Sequence, residues 1–90
     1  MNIALDFDNT YTKDPILWNI FIQDAIVRGH FVYCVTKRSF ENSMDVYTSI
    51  GPRIGESRCH FTSMQSKKKY MDDRGIKIDV WIDDMPDKIV

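Results

Sequence analysis

The chain has 90 residues, is 43% hydrophobic and 28% charged, and carries a formal net charge of −1. That length specifies a single domain over residues 1–90 with one small core, burying roughly 60–65% of the unfolded surface. The near-neutral balance excludes a global basic field, so charge does not indicate nucleic acid, and a small or locally captured ligand is the expected partner. Cys34 and Cys59 are too few for a disulfide framework and read as reduced thiols, Cys34 in an apolar run and Cys59 partly exposed. Neither end carries a signal-peptide pattern, and no apolar run nears the ~20 residues of a membrane span, so the expected location is the cytoplasm, away from membranes.

The first segment, Asn2 to Phe7, is apolar and then abruptly acidic, the pattern of a buried strand ending in polar groups. Asp14-Pro15 then gives a strong helix start, with Asp as N-cap and Pro in the first turn. Ile16, Ile20, Phe21 and Val27 recur at helical spacing as its apolar stripe, and Arg28-Gly29 closes it. Phe31 to Thr36 is a near-continuous apolar run, as expected of a strand covered on both faces. Ser39 to Ile50 reads as a second helix with Met44, Val46 and Ile50 inward and Gly51-Pro52 as its stop, followed by a loop over Arg53 to Ser57. Cys59 to Phe61 is a short third strand. Thr62 and Gln65 resemble a capping box ahead of a helix from Met64 to Arg74, ended by Gly75. Ile76 to Ile82 is the last strand, with Ile76, Ile78, Val80 and Ile82 sharing a face, and it too ends in acid at Asp83-Asp84.

Alternating strands and helices predict an α/β fold, a three-layer α/β/α Rossmann-like arrangement around a parallel sheet of about four strands. Such sheets bind ligands beyond the carboxyl ends of their strands. Asp6 and Asp8, Thr36, and Asp83 and Asp84 all fall at strand ends. Two carboxylates two residues apart can converge on one cation, and Mg²⁺ takes carboxylate oxygens together with waters and phosphate oxygens. A second acidic pair at another strand end would need a cation to relieve mutual repulsion. Taken singly, each cluster also fits a plain turn, since Asp-Asn-Thr is good turn chemistry. The Thr36 hydroxyl suits a phosphoryl oxygen, and Lys37 and Arg38 suit an anion clamp or a solvated surface. Lys67, Lys68 and Lys69 sit where a helix macrodipole disfavours cations, with Asp72 and Asp73 at the opposite end, so helix energetics do not explain them. Weak Lys68–Asp72 and Lys69–Asp73 pairs fit the spacing, and one lysine aimed at the sheet edge would neutralise a carboxylate and a transferring phosphoryl group. His30 and His60 lack zinc-ligand spacing.

Together these residues resemble the haloacid dehalogenase superfamily of phosphohydrolases over nearly the whole chain and in the expected order. Asp6-x-Asp8-x-Thr10 matches the first motif, Thr36 in Val35-Thr36-Lys37-Arg38 the second, Lys67 or one of its neighbours the third, and Asp83-Asp84 after Val80-Trp81-Ile82 the fourth. The resemblance implies a Mg²⁺-dependent phosphomonoesterase acting through an aspartyl-phosphate, with a nucleotide or other phosphorylated small molecule as substrate. Asp6 would be the nucleophile and Asp8 the general acid/base; Asp6, Asp8 (through its carbonyl) and Asp83 or Asp84 would hold Mg²⁺. Thr36 and Lys67 would hold the phosphoryl oxygens, with Asn9, Thr10, Lys37 and Arg38 beside the substrate. Asn9 replaces the usual glycine of the first motif. The connections are too short for a cap domain, and the strand that follows the fourth motif in larger relatives is missing. The resemblance is therefore to a minimal, capless, phage-type member working in the host cytoplasm, with homo-oligomerisation supplying the buried area so short a chain lacks. A rival expectation is a module of the same fold that binds a nucleotide-type ligand or signal without turnover. A phospho-accepting receiver domain fits less well, because no Asp ends a middle strand.

Overall fold

The computed structural model describes residues Met1–Val90. Four strands, β1 (Asn2–Leu5), β2 (Phe31–Thr36), β3 (Cys59–Phe61) and β4 (Val80–Ile82), form one all-parallel sheet in the order β3-β2-β1-β4. Between them run α1 (Pro15–Val27), α2 (Met44–Ser49), α3 (Gly51–Ile54) and α4 (Lys67–Asp73), joined by single 3₁₀ turns. The expected α/β class and parallel sheet of four strands are thus present.

Alternation along the strands builds two cores. Ile3 and Leu5 of β1, Val32 and Cys34 of β2 and Cys59 of β3 face one way and pack with Ile22 and Ala25 of α1, Val46 and Ile50 around α2 and Ile54 of α3. Ala4, Val35, Tyr33 and Trp81 face the other way, onto Met71 and Tyr70 of α4 and onto Ile76 and Ile78. Helices therefore cover both faces, which is why the strand sequences are apolar throughout. The chain steps outward from β1 to β2 to β3, then returns past β1 to place β4 on its other side. The order reverses at β1, so the carboxyl ends of β1 and β4 flank the switch point at which open α/β sheets bind ligands.

Several boundaries and faces differ from the sequence reading. Of the expected stripe of α1, Phe21 packs against the core beside Trp18, Ile22 and Ala25, whereas Ile16, Ile20 and Val27 point to solvent. Helix α1 is apolar nearly all round, so helical spacing alone fitted the outward stripe as well as the inward one. Met44 is exposed, and the helix expected over Ser39 to Ile50 is a 3₁₀ turn (Phe40–Asn42) followed by α2. Helix α2 ends at Ser49 with Ile50 as its C-cap, directly before Gly51-Pro52, as expected. Gly51-Pro52 then opens α3, where the missing N–H of Pro52 leaves no bond unmade, and Gly55 at φ 94° ends that helix. Residues 53–58 are accordingly mostly helical turn rather than loop.

The Thr62 hydroxyl donates to the Gln65 carbonyl instead of capping a helix, and Ser63 and Met64 adopt φ 51° and 70°. Helix α4 starts at Lys67, where Ser66 caps it by accepting the Lys69 N–H at 3.2 Å. Residues 76–79 are not strand, because the Asp79 carboxylate takes the Asn2 N–H that a longer ladder would use. Ile76 and Ile78 consequently pack on the α4 side, Ile82 lies on the opposite face and Val80 is exposed. Cys59 is buried like Cys34; both are free thiols held protonated by burial, Cys59 up to about 11.

Candidate active site

Asp6 follows the last residue of β1, and its N–H donates to the Ile82 carbonyl of β4 at 2.9 Å, fixing the carboxylate at the switch point. The chain then turns tightly. Thr10 and Thr12 N–H groups donate to the Phe7 carbonyl, and the Tyr11 N–H donates to that of Asp6. Phe7 and Tyr11 stack at 5.7 Å beneath the turn. Asn9 takes φ 63°, a left-handed conformation that Asn tolerates.

Lys67, the first residue of α4, reaches over the sheet edge from the opposite layer. Its side chain is 2% exposed, and its ammonium lies 2.8 Å from Asp6 Oδ1 and 2.6 Å from Asp83 Oδ2. Lys68 and Lys69 instead make exposed pairs with Asp72 and Asp73. Of the three lysines, Lys67 alone reaches the acidic cluster. The Thr10 hydroxyl sits 3.0 Å from Asp6 Oδ2 and 3.2 Å from Asp84 Oδ1 and accepts the Asp84 N–H, so Thr10 ties the two acidic strand ends together rather than facing a ligand.

Carboxylate oxygens of Asp6, Asp83 and Asp84 lie within 4.8 Å of one another. Three carboxylates and one ammonium leave two negative charges, the complement of one divalent cation, and an all-oxygen donor set suits a hard ion. Burial pushes the Asp6 carboxyl up to about 6, Lys67 pulls it back, and the neighbouring Asp84 and Asp83 push it up further. Asp84, beside Asp6 in the cluster and hydrogen-bonded to Thr10, is held below the usual carboxylate range. The cluster is thus short of positive charge as it stands.

A cavity of about 120 Å³ opens over these groups, lined by Asp6, Asp8, Asn9, Thr36, Lys37, Lys67, Asp83, Asp84, Met85 and Lys88. Thr36, at the end of β2, accepts the Arg38 N–H at 3.3 Å and can turn its own proton into the cavity. Lys37 is at the rim, its ammonium acidified by burial and by Lys88 and Lys67. Asp8 also borders the cavity, but its carboxylate stays out of the three-acid cluster. It is gripped by Arg38, with Nε donating to Oδ2 at 2.9 Å and Nη2 to Oδ1 at 2.7 Å. Arg38 is pinned in turn by Asp45 at 2.5 Å, by the Asn42 carbonyl at 3.0 Å and by the Phe7 ring 5.1 Å below, and its two acidic partners raise its basicity further. Arg38 is therefore an internal partner of Asp8 and not a free anion clamp, and Asp8 contributes no side-chain ligand to the acidic cluster.

Sequence reading missed Asp45, Met85 and Lys88. Asp45 lies in the first turn of α2, where an acid is unremarkable helix chemistry. Lys88 belongs to a closing 3₁₀ turn that docks on α4 through the Ile89 carbonyl, which accepts the Lys68 N–H at 2.7 Å and the Ser66 hydroxyl at 3.2 Å; no local pattern announces it. The chain matches no protein-family model, no curated protein and no solved structure.

Proposed function

We propose that the protein is a Mg²⁺-dependent phosphohydrolase of the haloacid dehalogenase type that cleaves phosphomonoesters through an aspartyl-phosphate on Asp6. The observation that carries this reading is the buried Lys67 ammonium bridging Asp6 and Asp83 beside Asp84 at the switch point of a parallel sheet. A structural role alone does not account for it, because a buried ion pair of this kind costs about as much in desolvation as it returns.

Asp6, Asp83 and Asp84 would hold the ion, which when bound would neutralise charge on the phosphoryl oxygens. The Asp6 carboxylate attacks phosphorus, forming an acyl phosphate as the bond to the leaving oxygen breaks. Lys67 and the Thr36 hydroxyl hold the non-bridging oxygens, whose charge grows in the transition state. Asp8 gives the leaving oxygen its proton, then takes one from the water that attacks the acyl phosphate and releases inorganic phosphate. Before it can do so it must leave Arg38, and a phosphoryl oxygen is the natural replacement partner for that guanidinium. The cavity is lined by polar and charged side chains except for Met85, a lining that suits the phosphoryl group and not an apolar ring. The leaving group therefore lies outside it, where an open groove between Lys13, Leu17 and Trp18 on one side and Ile82 and Asp83 on the other adjoins the cavity. Nucleotides and other small phosphomonoesters fit this reading.

The test is hydrolysis of an aryl phosphate and a nucleotide panel with Mg²⁺ by the wild type and by Asp6→Asn. Turnover is expected for the wild type and loss of at least about 10³-fold for the variant; equal rates would remove Asp6 from the chemistry. The bidentate Arg38 grip on Asp8 favours a second reading, a binding module with its acid/base locked away. Nucleotide binding without phosphate release in the same panel would select it.

A further inference from the structure

We propose that a second copy of this chain docks on the outward face of α1, giving a two-fold dimer with the two α1 helices antiparallel. Helix α1 is 13 residues, about 20 Å, long. At 100° per residue, Ile16, Ile20 and Val27 fall within about 40° of one another, opposite the side that carries Trp18, Ile22 and Ala25 into the core. They are exposed by 75%, 65% and 78%, and are flanked by Leu17 and Ile26 at 53% and 42%. A helix apolar on both sides is the signature of one buried on both sides.

The identity of the occupant follows from symmetry, charge and area. Positions 16, 20, 23 and 27 are symmetric about the helix midpoint, so an antiparallel copy sets Ile16 against Val27 and Ile20 against Gln23, twice. The same register opposes the two macrodipoles and brings Arg28 of one copy alongside Asp14 of the other. A membrane surface fits poorly, since such helices carry a Lys/Arg-rich polar face and α1 has Asp24 as its one charged residue. At roughly 100 Å² per aliphatic side chain, the exposed fractions offer about 300 Å² of apolar surface per copy. Two copies supply about 600 Å², and homodimer interfaces are about 65% apolar, so the whole interface comes to roughly 950 Å². That is at the lower limit for a specific association, near 1,000 Å², and points to a dimer that dissociates on dilution. Because the acidic site adjoins the start of α1, antiparallel pairing sends the two sites to opposite ends of the dimer.

Sedimentation velocity from about 5 µM to about 500 µM tests this. The wild type is expected to shift from monomer to dimer across that range, and Val27→Glu and Ile16→Lys, each folded by circular dichroism, to stay monomeric. Mixing the two variants sets the introduced ammonium of one copy against the introduced carboxylate of the other and is expected to restore a dimer at least tenfold tighter than either variant alone. A wild type monomeric throughout, or a dimer indifferent to both substitutions, overturns the proposal, as does vesicle binding through α1 without dimerisation. Failure of the mixture to pair overturns the antiparallel register. None of these outcomes depends on phosphatase activity.

Discussion

Replacing Lys67 with Met removes the one ammonium inside the acidic cluster and keeps the apolar stem that packs under it. Asp6 and Asp83 then face each other with no cation between them, in a site where the lysine is 2% exposed and the Asp83 side chain 3%. Breaking a buried pair from one side costs about 3–5 kcal/mol, because the remaining charge is left unsolvated. A domain of this size holds roughly 5–13 kcal/mol in total, so the substitution consumes a large part of its stability. The loss is expected as a fall of about 2 M or more in the urea midpoint at an m-value near 1.5 kcal/mol per M. Fluorescence of Trp18 and Trp81, which pack on opposite faces of the sheet, reports both cores at once. Two dependences identify the cause. Asp6 already titrates near 6, raised chiefly by burial, and loses its nearest cation in the variant. Protonating it relieves the penalty, so the deficit should shrink as pH falls from 8 towards 5. Mg²⁺ at about a hundred times its dissociation constant should return about 2.7 kcal/mol. A loss below about 1 kcal/mol, or a deficit indifferent to both pH and Mg²⁺, would refute the charge argument.

Arg38→Met frees Asp8, a half-exposed carboxylate, so its stability cost should stay within about 1 kcal/mol, while aryl phosphate turnover falls more than in Asp45→Asn, which loosens Arg38 without removing it; equal turnover in the two variants would show that Arg38 does not pass from Asp8 to a phosphoryl oxygen. His60 lies between Tyr33 and Tyr70 with Nε2 buried and unpartnered, and burial, aided by Arg74, lowers its pKa below 6.5. A base depressed in the fold gives stability that is complete above pH 6.5 and lost as pH falls through the folded value; His60→Phe should flatten that limb of the urea-stability profile between pH 7 and 5. Gly55 ends α3 at φ 94° with open space where a side chain would go, so Gly55→Ala should cost about 1–3 kcal/mol in thermal melts through backbone strain alone.

The sheet and the acidic centre were legible in the sequence because both rest on short-range chemistry. Asp6, Thr36 and Asp83 end apolar runs, and a parallel sheet aligns the ends of its strands, so linear position converted directly into proximity. The choice among Lys67, Lys68 and Lys69 was not legible. It depends on the helix starting at Lys67 rather than Met64, which a Ser66 cap and two left-handed residues decide. The outward face of α1 was misassigned for a related reason: a helix apolar on two sides offers two stripes of equal period, and only the position of the sheet selects between them. Asp45 reaches Arg38, and Lys88 the cavity, from segments whose local sequence reads as ordinary turn and surface, and no pattern of spacing ties them to β1.

The separation of Asp6 from Asp8 follows from charge. Two residues apart on one turn, both carboxylates could have joined the cluster with Asp83 and Asp84. Four carboxylates against Lys67 would leave three negative charges in a cavity of about 120 Å³, more than one divalent cation balances. Arg38 draws Asp8 away with a two-bond grip and is itself anchored by Asp45. Asp6 is left as the buried acid facing Lys67, and Asp8 as a half-exposed one whose partner an incoming phosphate can compete for. If that is the basis of the division, a double variant, Arg38→Met with Lys67→Met, should lose more stability than the two single losses combined, because freed Asp8 then adds to an already uncompensated cluster. Urea midpoints for the four proteins measure that coupling. A coupling of zero would mean that Asp8 stays apart without Arg38, and that the geometry of the turn, not charge, assigns the two acids their places.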